Sequence, residues 1–152
     1  MAIAPLPDRV VLDTGALIAL TDAAMGRSQN QLARALIARM RSRSSRMRVF
    51  APAVVLAEWW RGEDGPAALV RDAVTMLDVP RDVAIEAGRL LAAIPPRKQP
   101  SRLFVVDALV VVGGARVAEN ILTGDPNDIA LLRDKLVEKG VLAKGALRVH
   151  PI

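Results

Sequence analysis

The sequence predicts an α/β fold: a three-layer sandwich in which a five-stranded parallel sheet is flanked by helices. Three observations carry that expectation. Short β-branched runs alternate with longer stretches of helical periodicity, as in successive strand–helix–strand units. The first run, Val10-Val11-Leu12, is apolar at every position, as a parallel strand covered on both faces requires. The composition is 52% hydrophobic but only 3% aromatic, which suits helices on a Val-rich sheet better than an aromatic-cored barrel. A chain of 152 residues is expected to form one domain over 1–152, with 1–8 as an N-terminal extension.

The elements follow in order. After the first strand, Ala16-Leu17-Ile18-Ala19-Leu20 starts a short helix. A second helix is expected from about Ser28 to Met40, with Leu32, Leu36, Ile37 and Met40 at helical spacing. Val49-Phe50-Ala51 forms a strand stopped by Pro52, and Ala53 to Arg61 a helix ended by Gly62. Pro66 opens a helix running to about Met76, and Leu77-Asp78-Val79 is a brief strand before Pro80. Helices are expected from Arg81 to Ile94 and, capped by Ser101, from Arg102 to about Val117. Asn120 to Thr123 is the fourth strand, Asn127 to Lys139 the last helix, and Leu147-Arg148-Val149 the fifth strand, with His150 beside it in a packing role.

Composition excludes several chemistries. With no cysteine, disulfides, thiolate metal sites and thiol nucleophiles are ruled out. The start of the chain lacks the basic and apolar regions of a signal peptide. The longest apolar stretch, Leu103 to Ala115, is too short for a bilayer and contains Asp107. A cytoplasmic protein without membrane contact is the expectation. One histidine and no G-x-S-x-G elbow leave no support for a nucleophilic triad, and Walker or dinucleotide phosphate loops are missing. The 21 basic residues against 16 acidic ones give a net charge of +5. The bases cluster at Arg34 to Arg48, Arg43 and Arg46 among them, and at Arg97, Lys98 and Arg102. Guanidinium forks match phosphate oxygens, so nucleic-acid phosphate contacts are expected there; a solvated helix face explains the same cluster nearly as well.

Four acids stand out. Asp13 follows the first strand, at the sheet edge where open α/β sheets bind ligands. Taken alone, it or Thr14 reads more readily as a helix cap. Asp107 has only Leu103, Phe104, Val110 and Val111 one helical turn away, so no local base pairs it. An unpaired buried carboxylate must be neutralised, hydrogen-bonded or bound to a cation. Glu58 repeats the pattern after Val54 and Val55, although Arg61 could pair it at the surface. Asp125 follows the fourth strand as Asp13 follows the first. With Pro126 and Asp128, it also makes a good helix start. An oxygen-only ligand set points to a hard divalent cation, Mg²⁺ or Mn²⁺, and so to metal-assisted hydrolysis.

Val-Val-Leu-Asp13-Thr14, Glu58, Asp107-Ala-Leu-Val and Leu122-Thr123-Gly-Asp125-Pro-Asn-Asp128 resemble the PIN domain, and more narrowly the VapC-type ribonuclease toxins of bacterial toxin–antitoxin pairs. The resemblance covers nearly the whole chain. It implies a sheet with the first strand central and next to the fourth. Asp13, Glu58, Asp107 and Asp125 would hold Mg²⁺ or Mn²⁺ as the catalytic acids, with Asp128 as a further metal ligand. Thr14 and Thr123 would orient substrate. It further implies RNA cleavage by an activated water, a cognate antitoxin and a homodimer. One departure is Val110 to Ala115 in place of the Ala-rich run usual after the helix aspartate. Its Gly113 and Gly114 should each weaken the helix by roughly 1 kcal/mol unless close packing uses them.

Three rival readings are weaker, the first being a non-catalytic member of the same family that only binds RNA or a partner protein, which retention of all four acids makes less attractive. Asp13-Thr14-Gly15 matches the aspartic-protease triplet, but those enzymes are β-rich and need a second triplet. A phosphoacceptor receiver domain would need an early adjacent acid pair, which this chain lacks, and a well-placed lysine directly after the fourth strand, where Gly124-Asp125-Pro126 stands instead.

Overall fold

The computed structural model describes residues 7–60, 62, 65–95 and 105–152. One five-stranded sheet, all parallel, organises the chain. Its strands are β1 (Arg9–Leu12), β2 (Arg48–Pro52), β3 (Val74–Leu77), β4 (Asn120–Thr123) and β5 (Arg148–Pro151). Its helices are α1 (Thr14–Ala24), α2 (Gln31–Arg41), α3 (Ala53–Trp59), α4 (Pro66–Ala73), α5 (Arg81–Ala92), α6 (Val105–Gly114) and α7 (Pro126–Glu138). The strand order is β3-β2-β1-β4-β5. The chain therefore winds outward from β1 in one direction, then returns to add β4 and β5 on its other side. The reversal falls between β1 and β4, the switch point at whose carboxyl end open α/β sheets commonly bind ligands.

Burial follows from that order. β1 is central, and Val10, Val11 and Leu12 are all fully buried. On one side, α1 packs against α2, α3 and α4; on the other, α6 packs against α5 and α7 and against β1 and β2. This is the three-layer sandwich expected from the sequence. No helix among the described residues is long and apolar enough to cross a membrane.

Several boundaries differ from those expected, most by one to three residues at helix and strand ends. The helix starting at Pro66 ends at Ala73, not Met76, and the third strand is Val74–Leu77, not 77–79. Val49 pairs with Val74 and Pro52 with Leu77. The free edge of β2 therefore captures β-branched Val74 and Thr75, overriding the weaker helical pattern. Asp78 and Val79, just ahead of Pro80, lie past the end of that ladder. The second helix begins at Gln31 rather than Ser28, because Asn30 caps it by accepting from the Ala33 amide at 3.1 Å.

α6 stops at Gly114 instead of running to Val117. A Cβ at Gly114 would lie 3.1 Å from both Val11 methyls, so glycine lets the helix lie this close to β1 without Val11 having to shift. At Gly113 the nearest atom is a Val83 methyl at 3.8 Å, an ordinary contact that does not require glycine. Ser101, proposed as the cap of α6, lies outside the described residues. So do residues 1–6 of the N-terminal extension. The end of the extension is tied down: Asp8 pairs with Arg39, and the Pro7 carbonyl accepts from Arg39 Nη1 at 3.2 Å.

Candidate functional site

The carboxyl edge of the sheet is built from two strand-to-helix turns. Leaving β1, Asp13 caps α1 by accepting from the Ala16 amide at 2.7 Å. The same carboxylate reaches across to the β4 turn. There it accepts from the Thr123 hydroxyl, and Oδ1 accepts from the Gly124 amide at 3.3 Å. The cap reading of Asp13 is therefore correct and also incomplete, because the side chain ties β1 to β4 as well. Asp13 is 5% exposed. Burial raises its pKa, the hydrogen bonds from Thr123, Ala16 and Gly124 oppose the rise, and Asp125 adds to it.

The β4 turn mirrors the β1 turn. Thr123, fully buried, accepts from the Asp125 amide at 2.8 Å while donating to Asp13. Asp125 caps α7, accepting from the Asp128 amide at 3.4 Å. The two turns touch through glycine. A Cβ on Gly15 would lie 3.0 Å from Gly124 Cα, a backbone atom that yields less readily than the end of a side chain. Neither glycine stands out in the sequence as a site residue. The signal available was that Asp-Thr-Gly and Thr-Gly-Asp each follow a buried strand.

Asp107, in the first turn of α6, faces these turns from the other helix layer. Its pKa is pushed up to about 6, first by burial and then by the charges of Asp13, Asp128, Asp125 and Glu58. Every acid singled out in the sequence thus acts on this one carboxylate. The buried apolar neighbours expected around it are present at Val110 and Val111. Leu103 and Phe104 lie outside the described residues.

Glu58 sits near the end of α3, exposed, and accepts from the Thr14 hydroxyl at 2.6 Å. Its alternative partner, Arg61, lies outside the described residues. Both threonines expected to orient substrate therefore give their hydroxyl protons to carboxylates, Thr14 to Glu58 and Thr123 to Asp13. They position the acids.

The acids share an edge without being gathered into a cage. Among the described residues, no three acidic or histidine side chains converge closely enough to hold a metal ion. The hydrogen bonds explain why, since Asp13, Glu58 and Asp125 each accept from a protein donor. The donor set still fits a hard cation in chemistry: it is all oxygen, and mutual repulsion raises the pKa of Asp107.

The predicted basic residues lie elsewhere. Arg43 and Arg46 are exposed between α2 and the start of β2, at the amino edge of the sheet and away from the acids. Arg97 and Lys98 lie outside the described residues. His150 has the packing role expected of it. It is partly buried on β5 and hydrogen-bonds through Nε2 to Asn120 Oδ1 on β4 at 2.9 Å. The chain matches no known family model, and no curated protein resembles it closely enough to count as a relative.

Proposed function

We propose that the protein is a metal-dependent endoribonuclease of the PIN type, the toxin of a toxin–antitoxin pair acting in the cytoplasm. The observation that carries this reading is the crowding of Asp13, Asp125, Asp128 and Glu58 around the half-buried Asp107 at the switch point between β1 and β4. Like charges in partial burial raise the energy of the fold, and a shared dication relieves that cost. Asp13, Glu58, Asp107 and Asp125, with Asp128 beside them, would hold Mg²⁺ or Mn²⁺. Bound there, the cation would lower the pKa of water and stabilise charge on the attacked phosphate.

The side chains of this chain have distinct parts in that reaction. Asp13 is fixed by three donors, so it is a rigid anchor. Asp107, half-buried among the other acids, would complete the cation's ligand set from α6, and the proton of the attacking water would pass to solvent. The water oxygen bonds to phosphorus as the phosphodiester bond to the leaving ribose oxygen breaks, and that oxygen takes up a proton. Thr14 and Thr123 keep Glu58 and Asp13 in place. The cognate antitoxin and homodimer belong to the same proposal, with the antitoxin blocking the site.

The test is cleavage of single-stranded RNA with Mg²⁺ or Mn²⁺. Cutting should stop in EDTA and fall about 100-fold or more in Asp13→Asn or Asp107→Asn. Cutting at the parental rate by both variants would overturn the site. A second reading is favoured by the lack of a ready coordination set among the described residues: a catalytically silent PIN-like module that binds RNA or protein. Calorimetry separates the two, since the silent module takes up no Mg²⁺ or Mn²⁺. A PIN-type nuclease that processes RNA without being a toxin would cut in the same assay yet leave cell growth unaffected when expressed without an antitoxin.

A further inference from the structure

The chain has two tryptophans and no tyrosine, and both tryptophans sit beside the acid edge. Trp59 ends α3 and Trp60 caps it, immediately after Glu58. Their ring centroids are 5.6 Å apart with the planes inclined at 51°. Both rings are partly exposed, so neither is spent wholly on the core. They wall a cleft of about 180 Å³ whose other side is α1, through Ile18, Thr21 and Asp22, with Arg27 at the rim. Arg71 lies over the Trp60 ring at 4.5 Å from its centroid and holds the indole in position.

Position and chemistry restrict what the cleft accepts. Ile18 and Asp22 follow Thr14 by one and two helical turns on the same face of α1, roughly 6 and 12 Å along the axis. Thr14 is the residue that holds Glu58. The cleft therefore continues directly from the proposed cleavage site. Its volume falls below the ~300–1,000 Å³ of ordinary small-molecule pockets, so it suits one planar ring system. Ile18, apolar yet 51% exposed, supplies a contact face opposite the indoles. Asp22 supplies a carboxylate at the edge, ion-paired with Arg27 at 3.1 Å. Aromatic faces, a carboxylate that accepts from a base amino group, and a guanidinium near the backbone path are the elements of single-stranded RNA recognition.

We propose that the cleft between α1 and the Trp59–Trp60 pair holds one unpaired nucleobase of the RNA, next to the phosphate to be cut. The proposal rests on the nuclease reading and adds substrate selection to it. Paired bases cannot enter, so duplex RNA is refused, and the base in the cleft biases where the strand is cut.

The test uses Asp107→Asn protein, which binds without cutting under the nuclease reading. Because Trp59 and Trp60 are the only tryptophans, their fluorescence reports on the cleft directly. A single-stranded RNA of about ten nucleotides should quench it saturably, and an abasic strand of equal length should not. Trp60→Ala should weaken binding about tenfold, with Trp60→Phe retaining most of it. Ile18→Lys at an exposed position should also weaken binding by filling the cleft, despite its added positive charge. Equal binding of the abasic strand, unchanged affinity in Trp60→Ala, or tighter binding by Ile18→Lys would each overturn the proposal. So would quenching by an apolar helical peptide but not by RNA. If RNA is cut by the parent and bound unchanged by Trp60→Ala, only the base cleft fails. If neither strand binds and nothing is cut, both readings fail.

Discussion

At the amino edge of the sheet, β1, β2 and β5 each begin with an arginine: Arg9, Arg48 and Arg148. At the carboxyl edge, β1 and β4 run into Asp13 and Asp125, and Glu58, Asp107 and Asp128 gather nearby. The two edges carry opposite charge and are held together differently. The amino-edge cations are exposed and have soft partners. Arg9 Nε donates to the Val117 carbonyl at 2.7 Å, and Arg9 and Arg48 lie 5.1 and 5.7 Å from the Phe50 ring centroid. At the carboxyl edge, Asp13 is buried and takes two backbone amides and a hydroxyl, and the nearby acids act on one another through partial burial. Charge in water costs little, so the amino edge tolerates its cations with loose contacts. Charge removed from water must be held by directed hydrogen bonds, so the acid edge depends on backbone placement.

That contrast can be broken first where backbone meets backbone. Gly124→Ala puts a Cβ 3.1 Å from Gly15 Cα, forcing the β1 and β4 turns apart. A loss of about 1–3 kcal/mol is expected in denaturant unfolding, along with weaker cleavage, because Asp13 loses its Gly124 contact.

The next effect is electrostatic and has the opposite sign. Asp107 titrates near 6 in the fold against 3.8 in the open chain. The folded state therefore holds its proton more tightly, and stability falls as pH rises from about 4 to about 6. Above that window the full cost is present; below pH 4 it vanishes. Asp107→Asn should thus be more stable than the parent by roughly 1–2 kcal/mol at pH 7 in EDTA, after allowance for solvent screening, and no more stable at pH 3.5. Thermal melts across pH check both ends. A constant difference at every pH would mean that burial and the neighbouring acids do not perturb Asp107 as described.

The smallest effect belongs to the amino edge. Arg48→Ala should cost no more than about 0.5–1 kcal/mol, and the loss should shrink in high salt. A larger loss would show that this edge is as tightly built as the other.

Much of the fold was legible in the sequence, for a physical reason. A strand covered on both faces must be apolar throughout, and Val10-Val11-Leu12 states that requirement locally. The same holds for Asp13 and Asp125 as helix caps, because capping depends only on residues three positions away. The acid edge was legible as a set of residue types. Its geometry was not, since Asp13 and Thr123 are 110 residues apart. The place of Arg43 and Arg46 was hidden for the same reason. Residues 43 and 46 lie close to the acids in no local sense, and the topology sends them to the opposite edge.

The sequence by itself determined the alternation of strands and helices, the buried first strand and the identity of the acids, because each of these is set by periodicity or by near neighbours. Only the tertiary structure decided that β2 would capture Val74–Leu77 from a helical pattern. It alone put the tight contact of position 114 with Val11 where a glycine stands, and it alone set Asp107 under the charges of four other carboxylates. These outcomes depend on which distant surfaces meet. Chain closure, excluded volume and burial act at that scale, and no local window of sequence contains them.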